Sequence, residues 1–370
     1  MSYEDYLNVT PYGLSHTDKH KELTDVLKEL TVLHMQRCPA YKAMLHAQGF
    51  ADEDAIQSIT DYEQIPFLPV RLFKEYELSS VPKDEVVKTM TSSGTTGQQV
   101  SKIFLDRQTS AAQSKVMSHI VAEFLGKKRL PMIILDTSAL LKNRAMFSAR
   151  GAGILGFSMF GRDRIYALDE NMQLDVDGVQ AFLKKHEGED IFLFGFTFMI
   201  WKHFYQELLR LAEDGVKFDL SRGIMLHGGG WKKLASEAVS PEEFKTRLRD
   251  ACGIKNVYNY YGMVEQTGSI YMECECGHLH ASSFSDVIIR NPKDWSVQPN
   301  GEKGLIEVVS CLPESYPGHV LLTEDEGVVD GEDDCPCGRK GKYFRVLGRV
   351  KNAEIRGCSD TYADKISRRA

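Results

Sequence analysis

The stretch Thr91-Ser92-Ser93-Gly94-Thr95-Thr96-Gly97-Gln98-Gln99 is far richer in hydroxyls and glycine than its flanks. It lies between two β-leaning runs, Val86 to Met90 and Lys102 to Leu105. Glycines let backbone N–H groups approach an anion closely, and Ser and Thr hydroxyls add donors, so such a loop can cradle a polyphosphate. The glycine-lysine-serine/threonine ending of a Walker A loop is absent. Most runs of this composition are plain surface turns, so the weight of the loop depends on what surrounds it.

Downstream the chain alternates. A helix from about Arg107 to Leu125 leads to an apolar strand, Met132 to Leu135; a strand at Ile191 to Phe194 leads to a helix from about Phe198 to Glu213. A strand at Gly223 to Leu226, a helix at Pro241 to Cys252 and a strand at Val257 to Tyr260 follow. This alternation predicts an α/β fold. From Ser269 onward helix signals nearly vanish, and short strands alternate with turns such as Pro299-Asn300-Gly301, predicting a β-rich closing subdomain. Upstream, Leu23, Val26, Leu27, Leu30 and Leu33 form an amphipathic helix that ends before Pro39. The expected organisation is a helical segment over 1–64, an α/β body over 65–268, a β-rich subdomain over 269–350 and a tail over 351–370.

The 370 residues carry 52 acidic and 45 basic side chains, and 52 minus 45 gives a net charge of −7, which argues against a nucleic-acid partner. With 42% hydrophobic and 26% charged residues the composition is that of a globular chain with a substantial core. The most apolar stretch, Ile191 to Trp201, is too short to span a bilayer, which takes about 20 residues. No basic start followed by an apolar run marks a secretory signal, so a cytoplasmic, reducing compartment is expected, with the eight cysteines as thiols or ligands.

Two further signals give the hydroxyl-rich loop its meaning. Leu226-His227-Gly228-Gly229-Gly230-Trp231 puts bare backbone at one predicted strand end, and Tyr260-Tyr261-Gly262-Met263-Val264-Glu265 puts aromatics and a carboxylate at the next. In α/β sheets, ligands gather at the carboxyl ends of strands. Bare glycines admit a flat purine, a tyrosine can cover its other face, and a glutamate can hold a Mg²⁺ that bridges phosphates. With these motifs in this order, the chain resembles the adenylate-forming enzymes, which include acyl-CoA synthetases and peptide-synthetase adenylation domains. The resemblance implies that Thr91 to Gly97, with Ser92, Ser93, Gly94, Thr95, Thr96 and Gly97, is the phosphate loop of ATP, Thr95 taking a catalytic part. It gives Gly228, Gly229, Gly230, Tyr260, Tyr261 and Gly262 to the nucleotide and Glu265 to Mg²⁺. Leu322-Thr323-Glu324-Asp325 stands where the family has a threonine-x-aspartate that grips the ribose, and Gly348-Arg349-Val350-Lys351 resembles its hinge, with Arg349 near the ribose.

Within that superfamily the chain is similar to the phenylacetate-CoA ligase-like branch and, closer still, to acyl-protein synthetases, the fatty-acid-activating subunits of bioluminescence-type fatty acid reductases. The ending Ile355-Arg356-Gly357-Cys358-Ser359-Asp360 supports the latter. The proline-lysine that usually follows the phosphate loop is missing, Lys102 being the nearest lysine after it. Only 21 residues follow Arg349, so the mobile lid domain of the superfamily is expected to be absent and the thioester to need another acceptor. Cys358 is the candidate, beside Arg356 and near Arg368 and Arg369, whose positive charge favours the thiolate.

A second cluster is Cys274-Glu275-Cys276-Gly277-His278-Leu279-His280, answered by Cys335-Pro336-Cys337-Gly338. Two cysteine-x-cysteine pairs can supply four soft ligands to a tetrahedral structural Zn²⁺, and His280 can equally replace Cys274 or Cys276 in the set. The aromatic run Phe192 to Trp201 is a candidate lining for an acyl chain. The expected activity is ATP-dependent activation of a carboxylic acid to an acyl-adenylate, followed by transfer to a cysteine thiol, with an acyl-protein reductase as partner. The alternatives are a CoA ligase, or a nucleotide-binding scaffold of a reductase complex.

Overall fold

The computed structural model describes residues 8–92, 99–142 and 149–350. They gather into two units, one formed by the described residues between Phe124 and Tyr261, the other by those up to Ser92, Gln99–Glu123 and those from Gly262 onward.

In the first unit, five parallel strands run in the order Gly161–Leu168, Leu130–Thr137, Ile191–Phe196, Gly223–Gly228, Asn256–Tyr261. The interior strands are covered on both faces, which is why Ile191–Phe196 reads as an unbroken apolar run and is buried at every position. Ile133, Leu193, Met225 and Val257 meet Trp201, Phe204, Leu208, Phe244 and Leu248 from the covering helices in one core. Helix Pro241–Cys252 is bounded as its sequence dictates. Ser240 accepts from the Glu243 N–H at 3.1 Å, Pro241 opens the first turn, and Gly253 stops the helix at φ +80°, donating to the Arg249 carbonyl at 2.7 Å. The parallel register sets Phe196 opposite Gly228 and Gly228 opposite Tyr260, so three strands present their carboxyl ends abreast.

The helix expected from about Phe198 to Glu213 is not a single α-helix. It begins as Thr197–Met199, widens into a π-helix over Ile200–Tyr205 and resumes as Gln206–Glu213. Within the widened segment Trp201 lies flat against Tyr205, ring centres 4.6 Å apart. Phe194, Phe196, Phe198 and Trp201 are all buried.

The second unit is antiparallel. Its strands follow the order Ser285–Arg290, Gly304–Ser310, Val320–Glu332, Lys342–Arg349, Leu279–His280, Tyr271–Glu273, and the short Leu68–Pro69 pairs parallel to Val320–Glu332. Helix His16–Arg37 packs here through Leu23, Val26, Leu27 and Leu30. Polar ties fix the helical segment to the strands: Tyr62 donates to Asp286 at 2.7 Å, and the Lys342 ammonium donates to Tyr62 and Glu63 at 3.0 Å each. The buried His34 accepts from Ser80 through Nδ1 and donates through Nε2 to the Pro313 carbonyl at 3.0 Å. The N-terminal helices are therefore structural members of the unit that carries the C-terminal strands.

Candidate active site and metal centre

In the parallel unit, the strand Gly223–Gly228 runs into the turn Gly229-Gly230. A Cβ on Gly228 would stand 2.5 Å from the Tyr260 ring, so this glycine exists to let the tyrosine lie across the strand end. Tyr260 rests in turn on Phe157 and Phe194, with ring centres at 4.9 and 6.5 Å. Gly229 has φ +75°, a left-handed turn that a side chain disfavours. Among the described residues, no atom beyond its chain neighbours lies within 4 Å of where a Cβ on Gly230 would stand, so its backbone is the open face of the turn there. The three glycines, read from sequence as one purine-facing surface, thus divide their work. Sequence reading also missed Thr197, whose hydroxyl lies 2.8 Å from the Gly229 carbonyl, 3.2 Å from the Gly228 carbonyl and 2.9 Å from His227 Nδ1. The only signal was a hydroxyl set between Phe196 and Phe198 in an otherwise apolar run.

The hydroxyl-rich loop grows from a hairpin in which Lys88–Thr91 pairs with Lys102–Leu105, Thr91 opposite Lys102. Ser92 donates its N–H to the Ser101 carbonyl at 3.1 Å, and its hydroxyl accepts from the Ser101 N–H at 2.9 Å. Its side chain therefore cinches the neck of the loop. Ser93, Gly94, Thr95, Thr96 and Gly97 lie outside the described residues, as does Cys358. Lys102 faces Glu77, 3.6 Å away and exposed.

In the antiparallel unit, Gly262, which follows Tyr261 of the parallel unit in the chain, leads into a single 3₁₀ turn, Val264–Gln266, with Gly262 exposed and Glu265 buried. The turn is held from both sides. The Tyr316 hydroxyl donates to the Glu265 carbonyl at 2.9 Å, and the Gln266 amide donates to the carbonyls of Val308 and Gly318 at 3.1 and 2.8 Å. Asp325 and Arg349 are direct cross-strand partners, with Nε 3.4 Å from Oδ1. The threonine of the motif explains its spacing: buried Thr323 donates to the Ile306 carbonyl at 2.7 Å and accepts from the Asp325 N–H at 3.1 Å, fixing the backbone that carries the carboxylate.

The cysteine pairs form two facing turns. In one, Cys274 donates its N–H to the His278 carbonyl and Gly277 donates to the Cys274 carbonyl; in the other, Gly338 donates to the Cys335 carbonyl. Together they bring Cys274, His280, Cys335 and Cys337 so close that their ligand atoms all lie within 4.8 Å of one another. Cys276 is the one of the five candidates that stays out. Its side chain is exposed, and its backbone N–H donates to Cys274 Sγ at 3.3 Å. The geometry suits Zn²⁺. Tetrahedral coordination with Zn–S of about 2.3 Å and Zn–N of about 2.0 Å requires edges of about 3.8 Å between sulfurs and about 3.6 Å from sulfur to nitrogen. Cys274 Sγ to Cys335 Sγ is 3.9 Å, and Cys337 Sγ to His280 Nε2 is 3.4 Å. Burial pushes the Cys274 and Cys335 thiols up, a cost that a bound dication would relieve by stabilising the thiolates.

This mixed α/β fold, with its parallel and antiparallel strands, matches that of adenylate-forming ligases. The crystal structure of 2-hydroxyisobutyryl-CoA ligase in the postadenylation state with R3-HIB-AMP is similar, with a TM-score of 0.68 at 15% identity over 92% of this chain and 69% of that one. The chain belongs to the acyl-protein synthetase family LuxE, whose family model matches residues 3–367. It is similar to the long-chain-fatty-acid–luciferin-component ligases of Vibrio harveyi, 23% identical over 81% of this chain and 78% of that protein, and of Aliivibrio fischeri, 22% identical over 95% and 90%. The resemblance read from the motifs is borne out at the level of family and fold. Among the described residues no helix is long and apolar enough to cross a membrane.

Proposed function

We propose that this protein activates a long-chain fatty acid with ATP and passes the acyl group to a cysteine thiol. A carboxylate oxygen of the acid attacks the α-phosphorus and pyrophosphate leaves, giving the acyl-adenylate. A thiolate then attacks the acyl carbon, AMP leaves, and a thioester remains. The anchored Asp325–Arg349 pair carries this reading, because two residues assigned to the ribose by separate motifs are cross-strand partners with a backbone fixed by Thr323. Gly230 and Tyr260 would receive the adenine, and the loop residues Ser93 to Gly97 the phosphates. Mg²⁺, held by Glu265, would neutralise phosphate charge. Catalysis then rests on positioning and charge neutralisation. A thioester on Cys358 is the form in which an acyl-protein reductase could take the product, and a reducing, cytoplasmic compartment suits a chemistry that needs free thiols. Carboxylate-dependent exchange of pyrophosphate into ATP, run across a panel of acids, tests the proposal and identifies the substrate.

Cys274, His280, Cys335 and Cys337 would hold a structural Zn²⁺, since a closed thiol-rich set leaves no open coordination position for catalysis. Reduced, untagged protein is expected to contain about one zinc per chain, and chelation to lower its melting temperature by about 10 °C or more, because the bound metal contributes folding free energy. Zinc-free protein with an unchanged melting temperature would refute the site. Cys276→Ser is expected to keep the metal.

A further inference from the structure

We propose that Thr197 and His227 form a hydrogen-bond relay that positions the Gly229-Gly230 turn for ATP, making Thr197 a positioning residue for adenylation. The inference rests on the reading of Gly230 as a nucleotide-facing residue.

Thr197 has one hydroxyl hydrogen and three polar neighbours: the carbonyls of Gly228 and Gly229 and Nδ1 of His227. If that hydrogen pointed at Nδ1, both carbonyl oxygens would face hydroxyl lone pairs. The arrangement that satisfies the group has His227 Nδ1–H donating to Thr197 Oγ1, and Thr197 donating to the Gly229 carbonyl, its nearest acceptor. Burial, with a smaller contribution from Lys245, pushes the His227 imidazole down to about 3, so the ring is neutral at pH 7 and carries a single proton for this bond. The ring is packed against Phe244, centres 4.9 Å apart, which fixes its plane. Gly229 is in the left-handed region, and among the described residues no atom beyond the chain neighbours stands within 4 Å of a Cβ on Gly230, so the relay holds the turn from its Thr197 side while Trp231 anchors its far end in the core. Thr197 itself is buried just after Ile191–Phe196, in the row of strand ends, and its hydroxyl reaches the turn at the Gly229 carbonyl.

Removing the hydroxyl while keeping the shape should loosen the turn without touching the reacting atoms. Thr197→Val is expected to raise the KM for ATP in pyrophosphate exchange about tenfold, the effect of one lost buried hydrogen bond, and to change kcat and the KM for the acid less than about twofold. Thr197→Ser keeps the hydroxyl and is expected to restore the KM. A purely structural role would instead lower the melting temperature and leave the KM for ATP alone. Gly230→Ala separates the inference from the reading beneath it, since among the described residues the added methyl meets no atom beyond its chain neighbours. If Gly230→Ala leaves the KM for ATP unchanged, the turn does not face the nucleotide and the reading fails. If Gly230→Ala raises it and folded Thr197→Val does not, the relay is wrong. Nitrogen-15 NMR of the histidines in the unmodified protein gives an answer even if the valine variant does not fold. A neutral His227 protonated at Nδ1 is expected, and protonation at Nε2 would overturn the relay.

Discussion

Glu265→Ala is expected to lower carboxylate-dependent pyrophosphate exchange by about 10³-fold or more while leaving the protein folded. The side chain is buried on a turn that other residues also hold. Tyr316 holds the backbone of that turn, and the neighbouring Gln266 amide ties it to the carbonyls of Val308 and Gly318. Truncation therefore removes a carboxylate from a mount that remains. Its assigned task, neutralising phosphate charge through Mg²⁺, falls on the first chemical step, so exchange itself and not merely product transfer should fail. Glu265→Gln keeps the shape and loses the charge, and is expected to be as inactive. A folded alanine variant with unchanged exchange would remove Glu265 from the mechanism.

The second large effect concerns the acceptor. Incubation with ATP and the right acid should label the chain in a bond that neutral hydroxylamine cleaves, as it cleaves thioesters. Cys358→Ser should abolish that label and retain exchange, because the thiol enters only after pyrophosphate has left. The two variants thus divide the reaction: Glu265→Ala blocks both half-reactions, Cys358→Ser only the second. Label that survives in Cys358→Ser, or that forms only on added coenzyme A, would assign the acyl group to another thiol.

How much was legible in the sequence depended on how each element is buried. Ile191–Phe196 and Gly223–Gly228 lie inside the parallel sheet and carry buried apolar runs, and Asn256–Tyr261, the last parallel strand, shows a valine and three tyrosines, so their positions could be read. Gly161–Leu168 lies at the end of the strand order, exposes Arg162, Asp163 and Arg164, and shows no such run, so it passed unnoticed. The π-helix at Ile200–Tyr205 was invisible because a change of hydrogen-bond register leaves apolar spacing nearly intact. Nor could periodicity reveal the fully buried Arg150–Asp136 ion pair, which tertiary contact alone creates.

The candidate site was legible where a motif fixes its own geometry. Thr323 and Asp325 are two residues apart because the threonine hydroxyl must reach the aspartate N–H. Arg349 could be joined to them only by resemblance, since their pairing depends on strand register. For the metal ligands, spacing left five candidates, and the structure separates them by leaving Cys276 exposed and outside the cluster. Thr197 belonged to no motif, and only the neighbouring strand gave its hydroxyl a purpose.

On this reading the chain joins a carboxylic acid to AMP before any thiol acts. Exchange of labelled pyrophosphate into ATP, measured on the unmodified protein with Mg²⁺ and each acid of a chain-length series, tests it most directly. The expected result is exchange that requires the acid, rises with long-chain fatty acids and proceeds without coenzyme A or any partner protein. Exchange absent with every acid, or present without any acid, would contradict the account.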